Sequence, residues 1–327
     1  GNGKIPTGIG WLADLLAIVA VAIGLGGSIA MGAFQIKEGV DAWLELEDTG
    51  LGLTLLIFAL LIAAYILPLT VDLSRGMALL SNAAMGIAGG LMIFILLAGP
   101  THYIMGGVTE VTGAYFWNAF VHGFRTFTFM DEKVESWFQA WTLTYMVWWL
   151  AWAPFVGVFI ARISKGRTIR EFILGVILGP TLFSVLWFGI FGSIGFHTAL
   201  NTEAPILELV KNNASAVTFY VLNNLPLAKL TIFAVVAAAF LFVITSVVSA
   251  AFVLGMFSTK GDLNPPVRVK LLWGAVLGGL GLVMILSGSI DAVKSIIALG
   301  ALPFVFVVLL LVVCLLKALK TESVNVR

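Results

Sequence analysis

The sequence predicts an all-α membrane protein with about eight transmembrane helices, and three observations lead there. The chain is 60% hydrophobic and only 11% charged, with a mean hydropathy of +1.07, whereas soluble domains carry about 25% charged residues. Its apolar residues gather into runs of about 20, the length needed to cross a bilayer. Lysine and arginine are distributed unevenly between alternate loops, as the retention of positive charge in the cytoplasm produces.

Eight apolar runs follow in order, each closed by charge or by Pro/Gly. Trp11 to Phe34 ends at an acidic stretch holding Glu38, Asp41, Glu45, Glu47 and Asp48. Leu51 to Leu69 precedes Arg75, and Met77 to Gly99 stops at Gly99-Pro100-Thr101. Gln139 to Ile163 gives way to a basic loop with Arg162, Lys165, Arg167 and Arg170, and Phe172 to Phe196 follows. Leu230 to Met256 is closed by Lys260, Arg268 and Lys270. Leu271 to Ser287 and Val293 to Leu316 complete the set, with Lys317, Lys320 and Arg327 in a tail at 318–327. Between the third and fourth runs, Val108 to Phe129 repeats Val111, Tyr115, Phe116, Ala119, Phe120 and Phe124 at helical spacing beside Glu110, Asn118, His122 and Arg125. That pattern predicts an interfacial or packing helix over Val108 to Phe129, within an extracellular connecting helix and loop at 108–138.

Strict alternation of eight spans puts Lys4, Arg75 and the basic loops on one side and most carboxylates on the other. Both termini are therefore expected in the cytoplasm of a cell-membrane protein. Spans one to three then run opposite to spans six to eight, the geometry of inverted-repeat transporters. A net charge of +1 gives no reason to expect a nucleic-acid partner. The one cysteine, Cys314, excludes an intrachain disulfide. His102, His122 and His197 lack metal-site spacing, and neither a P-loop nor a nucleophile-base motif is present, so an enzyme is not expected.

The residues that carry chemistry lie in the fourth run. Trp148 and Trp152 are four apart and share a helix face, with Trp149 turned about 100° away. Indole faces attract a desolvated cation with about 2 kcal/mol or more, and a methylated ammonium, having no N–H to donate, suits them. Core packing or membrane-interface anchoring is the competing reading of the same spacing. Pro154 frees a backbone carbonyl inside the run, as happens near cavities.

The stretch WTLTYMVWWLAWAPFVGVFIARISKGRTIREFILGVILGP at 141–180 strongly resembles the signature region of the betaine/choline/carnitine transporter family. LSNAAM at 80–85, WFGIFG at 187–192, FVITS at 242–246 and ALPF at 301–304 extend the resemblance over essentially the whole chain. It implies a LeuT-like inverted-repeat fold represented incompletely: spans five to twelve of twelve, with the last three helices of the first repeat at 1–107 and the five-helix second repeat at 139–317. The start at Gly-Asn-Gly, without an initiator methionine, suggests a fragment or a processed chain. Loss of the first four spans would leave these residues unable to transport alone.

The resemblance further implies that Trp148, Trp149 and Trp152 clasp a quaternary ammonium. Thr144 stands where glycine-betaine carriers have an aromatic residue, and Ser28 stands where a serine approaches the substrate carboxylate. Ser28 has an equal reading as a small residue easing helix contact among Gly24, Gly26, Gly27 and Gly32. Phe242, Thr245 and Ser246 match a sodium site made of one backbone carbonyl and two hydroxyls. Val248 in place of aspartate, and Val21 and Leu25 in place of threonines, weaken that match. Sodium-coupled uptake of a betaine-type osmolyte is the expected function. Sodium-independent exchange of carnitine-like solutes is its rival, and a channel or a non-transporting osmosensor is the rival from another class. A homotrimer and anionic-lipid contact by the basic loop are also expected.

Overall fold

A computed structural model describes residues 4–47, 49–70, 73–202 and 205–325. Of the charges used to orient the chain, Asp48, Arg327 and the side chains of Lys4 and Arg75 lie outside the described residues. In chain order the helices are α1 (Lys4–Leu44), α2 (Gly50–Thr70), α3 (Leu73–Ala98), α4 (Thr101–Gly123) and α5 (Glu132–Trp137). A π-helical segment (Phe138–Leu143) joins α5 to α6 (Thr144–Ile163). Then come α7 (Ile169–Asn201), α8 (Ile206–Asn212), α9 (Val217–Asn223), α10 (Ala228–Ser258), α11 (Val267–Leu286) and α12 (Ile290–Asn325). No strand occurs among the described residues. Eight stretches are long and apolar enough to cross a membrane: α1, α2, α3, the continuous α5–α6 run, α7, α10, α11 and α12. Each coincides with one of the eight predicted runs, Gly99 and Ser287 alone falling one residue past the ends of α3 and α11.

Three boundaries differ from the sequence reading for physical reasons. Helix α1 continues past Phe34 to Leu44, through charges expected in a loop. Lys37 Nζ lies 2.9 Å from Asp41 Oδ2 one turn on and 3.3 Å from Glu38 Oε1, and Thr49 Oγ1 donates to Asp41 Oδ1 at 2.8 Å. Paired in this way, Lys37 and Asp41 stay helical while buried. Helix α12 runs through the predicted tail to Asn325, since Leu-Leu-Lys-Ala-Leu-Lys holds strong helix formers and no breaker. Helix α4 begins at Thr101 rather than Val108, because the Pro100 carbonyl accepts from Ile104 N at 3.0 Å and opens the helix directly after the proline. It stops at Gly123, leaving Phe124 to Phe129 outside it.

Helix α1 is the post around which the bundle stands, packed against α2, α6, α10, α11 and α12. Its glycines face different neighbours. A Cβ on Gly24 would sit 2.8 Å from Ala151 Cβ of α6, one on Gly26 would sit 2.7 Å from Leu280 Cβ of α11, and one on Gly32 would sit 2.5 Å from Val243 Cγ2 of α10. Gly27 lies equally close to Ile297 of α12. Lipid tails are as apolar as any side chain, so association rests on van der Waals contact, and small residues that admit close approach supply it. The main core gathers Leu25, Ile29, Leu61, Tyr65, Leu254 and Leu277 around this post. A second cluster, with Ile95, Ile104, Ile194 and Phe219, ties α3, α4, α7 and α9 together at one side.

Overpacking a tight crossing costs about 1–3 kcal/mol. Gly24→Val is therefore expected to lower the thermal midpoint of the complete protein in detergent by several degrees, and Gly24→Ala by less. An unchanged midpoint for the valine variant would show that the α1–α6 crossing is slack.

Candidate substrate and ion site

The close crossing at Gly24 brings α6 against α1 with its aromatic side inward. Trp148 and Trp152 both pack against the main core. The indole N–H of Trp148 donates to Ser28 Oγ at 3.3 Å, and that hydroxyl donates back to the Gly24 carbonyl at 2.9 Å. Ser28 thus orients Trp148 while anchoring its own hydroxyl on a carbonyl of its helix as a second bond. The Trp152 indole lies beside Gly24, and its Nε1 is buried with no hydrogen-bond partner. A buried donor left without an acceptor costs about 1–3 kcal/mol, which an oxygen arriving in the site would recover.

The aromatic residues extend beyond the tryptophans expected from sequence. Trp141 stacks on Tyr145 with ring centroids 5.7 Å apart, and Tyr145 meets Trp148 at 5.7 Å. One turn further on, Trp152 meets Phe155 at 5.5 Å. Positions 141, 145, 148, 152 and 155 alternate steps of four and three, so they form one stripe along the helix. That spacing was present in the sequence, and reading only the tryptophan pair missed Trp141, Tyr145 and Phe155. A cation already rests on the stripe. Lys294 Nζ of α12 lies 4.7 Å from the Trp141 ring centroid and 5.8 Å from that of Tyr145, with Asp291 Oδ1 3.8 Å away.

Two expected residues are not brought to this stripe. Trp149 projects from the other side of α6 and is 77% exposed, because one residue's turn of an α-helix carries it about 100° off the Trp148 direction. Thr144 is half-buried and spends its hydroxyl on the Gln139 carbonyl at 2.7 Å, inside the π-helical segment.

Two of the ion-site candidates, Phe242 and Ser246, lie across a small cavity from Trp152. Leu25, Ser28, Trp152, Phe242 and Ser246 are among the residues lining this space of about 150 Å³ between α1, α6 and α10. Thr245 is buried, and its hydroxyl donates to the Phe242 carbonyl at 3.1 Å. A carbonyl and a hydroxyl oxygen are thereby adjacent, with Ser246 next in sequence, which suits a hard cation as a partial ligand set. Ser246 also lines a larger cavity of about 960 Å³, walled by α3, α6, α10 and the start of α11. Val21, Leu25 and Val248 are fully buried and apolar.

Comparison with known proteins supplies the family. The family profile described as BCCT, betaine/carnitine/choline family transporter, matches residues 1–324. The chain belongs to this family.

Among its relatives, the glycine betaine transporter OpuD of Bacillus subtilis (strain 168) is 35% identical over 324 residues, covering 99% of this chain and 62% of the relative. The osmo-independent choline transporter BetT1 of Acinetobacter baylyi is 32% identical over 320 residues, 96% of this chain and 60% of the relative. An ectoine/hydroxyectoine transporter of Virgibacillus pantothenticus is 30% identical over 298 residues, 91% and 59% respectively. The chain thus spans about three-fifths of the length of these curated relatives. BCCT proteins are LeuT-like membrane proteins, in keeping with the eight long apolar helices. These relatives are transporters by name and not enzymes.

Ser28→Ala removes the acceptor of the Trp148 N–H and the donor to the Gly24 carbonyl together. The Trp148 N–H loses its partner at about 1–3 kcal/mol, while the Gly24 carbonyl keeps its backbone bond within α1, so the variant is expected to melt a few degrees lower than the parent. Ser28→Thr, which keeps the hydroxyl, is expected to recover part of the loss in the same melting experiment.

Proposed function

We propose that the complete protein carrying this chain is a secondary active transporter that imports a betaine-type quaternary-ammonium osmolyte by sodium symport with alternating access. The observation that carries the reading is the 150 Å³ cavity, where Ser28 and Trp152 face Phe242 and Ser246 across one small space. An ammonium held against indole faces and an ion held by α10 oxygens would then be near enough to stabilise one another's occupancy. Differential affinity of this kind is what couples two ligands. The Lys294 ammonium resting on Trp141 and Tyr145 supports the same chemistry, since the stripe already accommodates a positive charge. The names of the relatives supply the solute class: glycine betaine, choline and ectoine.

In this reading residues 1–107 are the last three helices of the first inverted repeat and 139–317 are the second repeat. Residues 108–138 are an extracellular connection, and both termini of the chain lie in the cytoplasm of the cell membrane. Phe242, Thr245 and Ser246 would hold sodium, with further oxygens from elsewhere in the complete protein. Trp149 would meet the solute only through a wall supplied by residues outside this chain. The exposed Tyr115, Phe116, Trp117 and Phe120 of α4 offer an apolar face to neighbouring subunits of a homotrimer. Arg167 and Arg170 would face anionic lipid.

One observation favours a second reading, sodium-independent exchange of carnitine-like solutes. Val21, Leu25 and Val248 put buried hydrocarbon where oxygen ligands would strengthen ion binding.

Binding of a panel of methylated solutes to the complete protein, with sodium and with potassium in its place, separates the two. Symport predicts that sodium tightens binding, whereas equal affinity in both salts favours exchange. Trp152→Ala is expected to weaken binding of the preferred solute roughly thirtyfold, the equivalent of about 2 kcal/mol. Unchanged affinity would reject the aromatic site.

A further inference from the structure

The larger cavity contains a charge that the reading above does not use. Lys270, in the first turn of α11, is only 7% exposed, lines the cavity, and its ammonium makes no hydrogen bond or ion pair among the described residues. Arg162, at the end of α6, lines the same space. Its guanidinium lies 4.7 Å from the Phe252 ring centroid, and its Nη2 donates to Asn264 Oδ1 at 3.4 Å, which leaves most of its five N–H donors free. No carboxylate lines the cavity among the described residues. Asp262, the acid in the adjoining loop, accepts from Asn264 N at 2.9 Å instead.

The stem of Lys270 is covered while its ammonium opens into the cavity, where no carboxylate of the described residues offsets its charge. The C-terminal end of α10 offsets part of this, because the Lys270 stem packs beside Gly255 and helix ends of that polarity favour cations. What is left is a positive charge facing the cavity, to which an anion would be drawn. The walls also indicate the direction from which one would arrive. Ser246 borders both cavities, and Phe155, beside Trp152, borders the larger one. A continuous line therefore runs from the tryptophans past Ser246 and Ser249 to Arg162 and Lys270.

We propose that Lys270, assisted by Arg162, is a carboxylate-receiving subsite on the cytoplasmic release path, and that it makes the transporter favour zwitterionic solutes over simple cations. This rests on the reading of the protein as a quaternary-ammonium transporter. A betaine leaving the aromatic site presents its carboxylate to the two cations while its ammonium still leaves the indoles. A solute with the same trimethylammonium head and no carboxylate meets only like charge. Lys270 is thereby a specificity-determining residue of the exit and not of the aromatic site itself.

Uptake of labelled glycine betaine and of choline by the complete protein in proteoliposomes tests this, with Lys270→Gln, Lys270→Arg and Arg162→Gln beside the parent. Lys270→Gln is expected to lower the glycine betaine to choline ratio of uptake efficiencies about tenfold, the scale of a lost hydrogen bond to a charged group. Lys270→Arg should keep the ratio. Arg162→Gln, altering an exposed side chain, should move it in the same direction by a smaller factor, and it decides the matter if Lys270→Gln does not fold. An unchanged ratio overturns the proposal. So does an equal loss for both solutes, the result if Lys270 pairs with a lipid headgroup or a carboxylate of the protein. A parent that accumulates neither solute defeats the transport reading first, whereas parental uptake with an unaltered ratio in the variants defeats this inference alone.

Discussion

The close approach of α1 to its neighbours is the constraint on which the rest of the structure depends. Gly24 lets α6 come within contact of α1 at Ala151, and that contact places the Trp152 indole beside the same glycine. One helical turn away, Ser28 fixes Trp148 through its hydroxyl. Gly32 admits Val243 of α10, next to Phe242 and one turn before Ser246. The tryptophans and the oxygen-bearing residues thus face each other because both helices lie tightly against a single post. A larger side chain at either glycine would change the width of the cavity before it changed any residue that lines it. In the proposed reading, packing and recognition are the same contact viewed from two sides.

The aromatic stripe works through electrostatics that water would weaken. An indole face holds a cation best when the cation has shed its hydration shell. Trp152 and Phe155 are enclosed enough for that, while Trp141, at the outer end of the stripe, is 41% exposed. Lys294 rests on this outer, wetter end, where its ammonium keeps Asp291 nearby. The π-helical segment just before Thr144 adds a residue to one turn. Such bulges re-aim side chains and often sit at functional sites. Here it allows Trp141 to stack on Tyr145 at an interplanar angle of 5° while α6 continues toward the basic loop.

The membrane architecture was legible because it rests on run length, and each of the eight apolar runs recurs as a long helix. What sequence periodicity could not convey was how charge survives inside a helix: Lys37 and Asp41 looked like a loop until their pairing was visible. The start of α4 was missed for a local reason, the capacity of the Pro100 carbonyl to open a helix. In the candidate site, the shared face of Trp148 and Trp152 was readable from a four-residue step. Trp149 and Thr144 were attached to the site by resemblance, and in this chain one points outward while the other caps the π-helical turn. The partnership of Ser28 with Trp148 spans 120 residues, and no local pattern encodes a contact of that separation. Lys270 was read as a topology charge, and only its burial beside a cavity distinguishes it from the other basic residues of that loop.

Charge along the inner path follows a sequence that matches a dipolar solute better than a simple cation. An aromatic face comes first at Trp152, hydroxyls follow at Thr245, Ser246 and Ser249, and cations stand last at Lys270 and Arg162. A positive group is favoured at the beginning of that line and opposed at its end, while a carboxylate is treated in the opposite way. Were the line built to pass a bare cation, the final positions would carry carboxylates or neutral oxygens. A molecule carrying both charges can instead exchange one set of contacts for the other as it moves, so neither end of the path need bind it tightly enough to trap it. In the proposed transport reading, release would then require no step in which a naked charge crosses an apolar wall, which is the costliest event a membrane interior can impose.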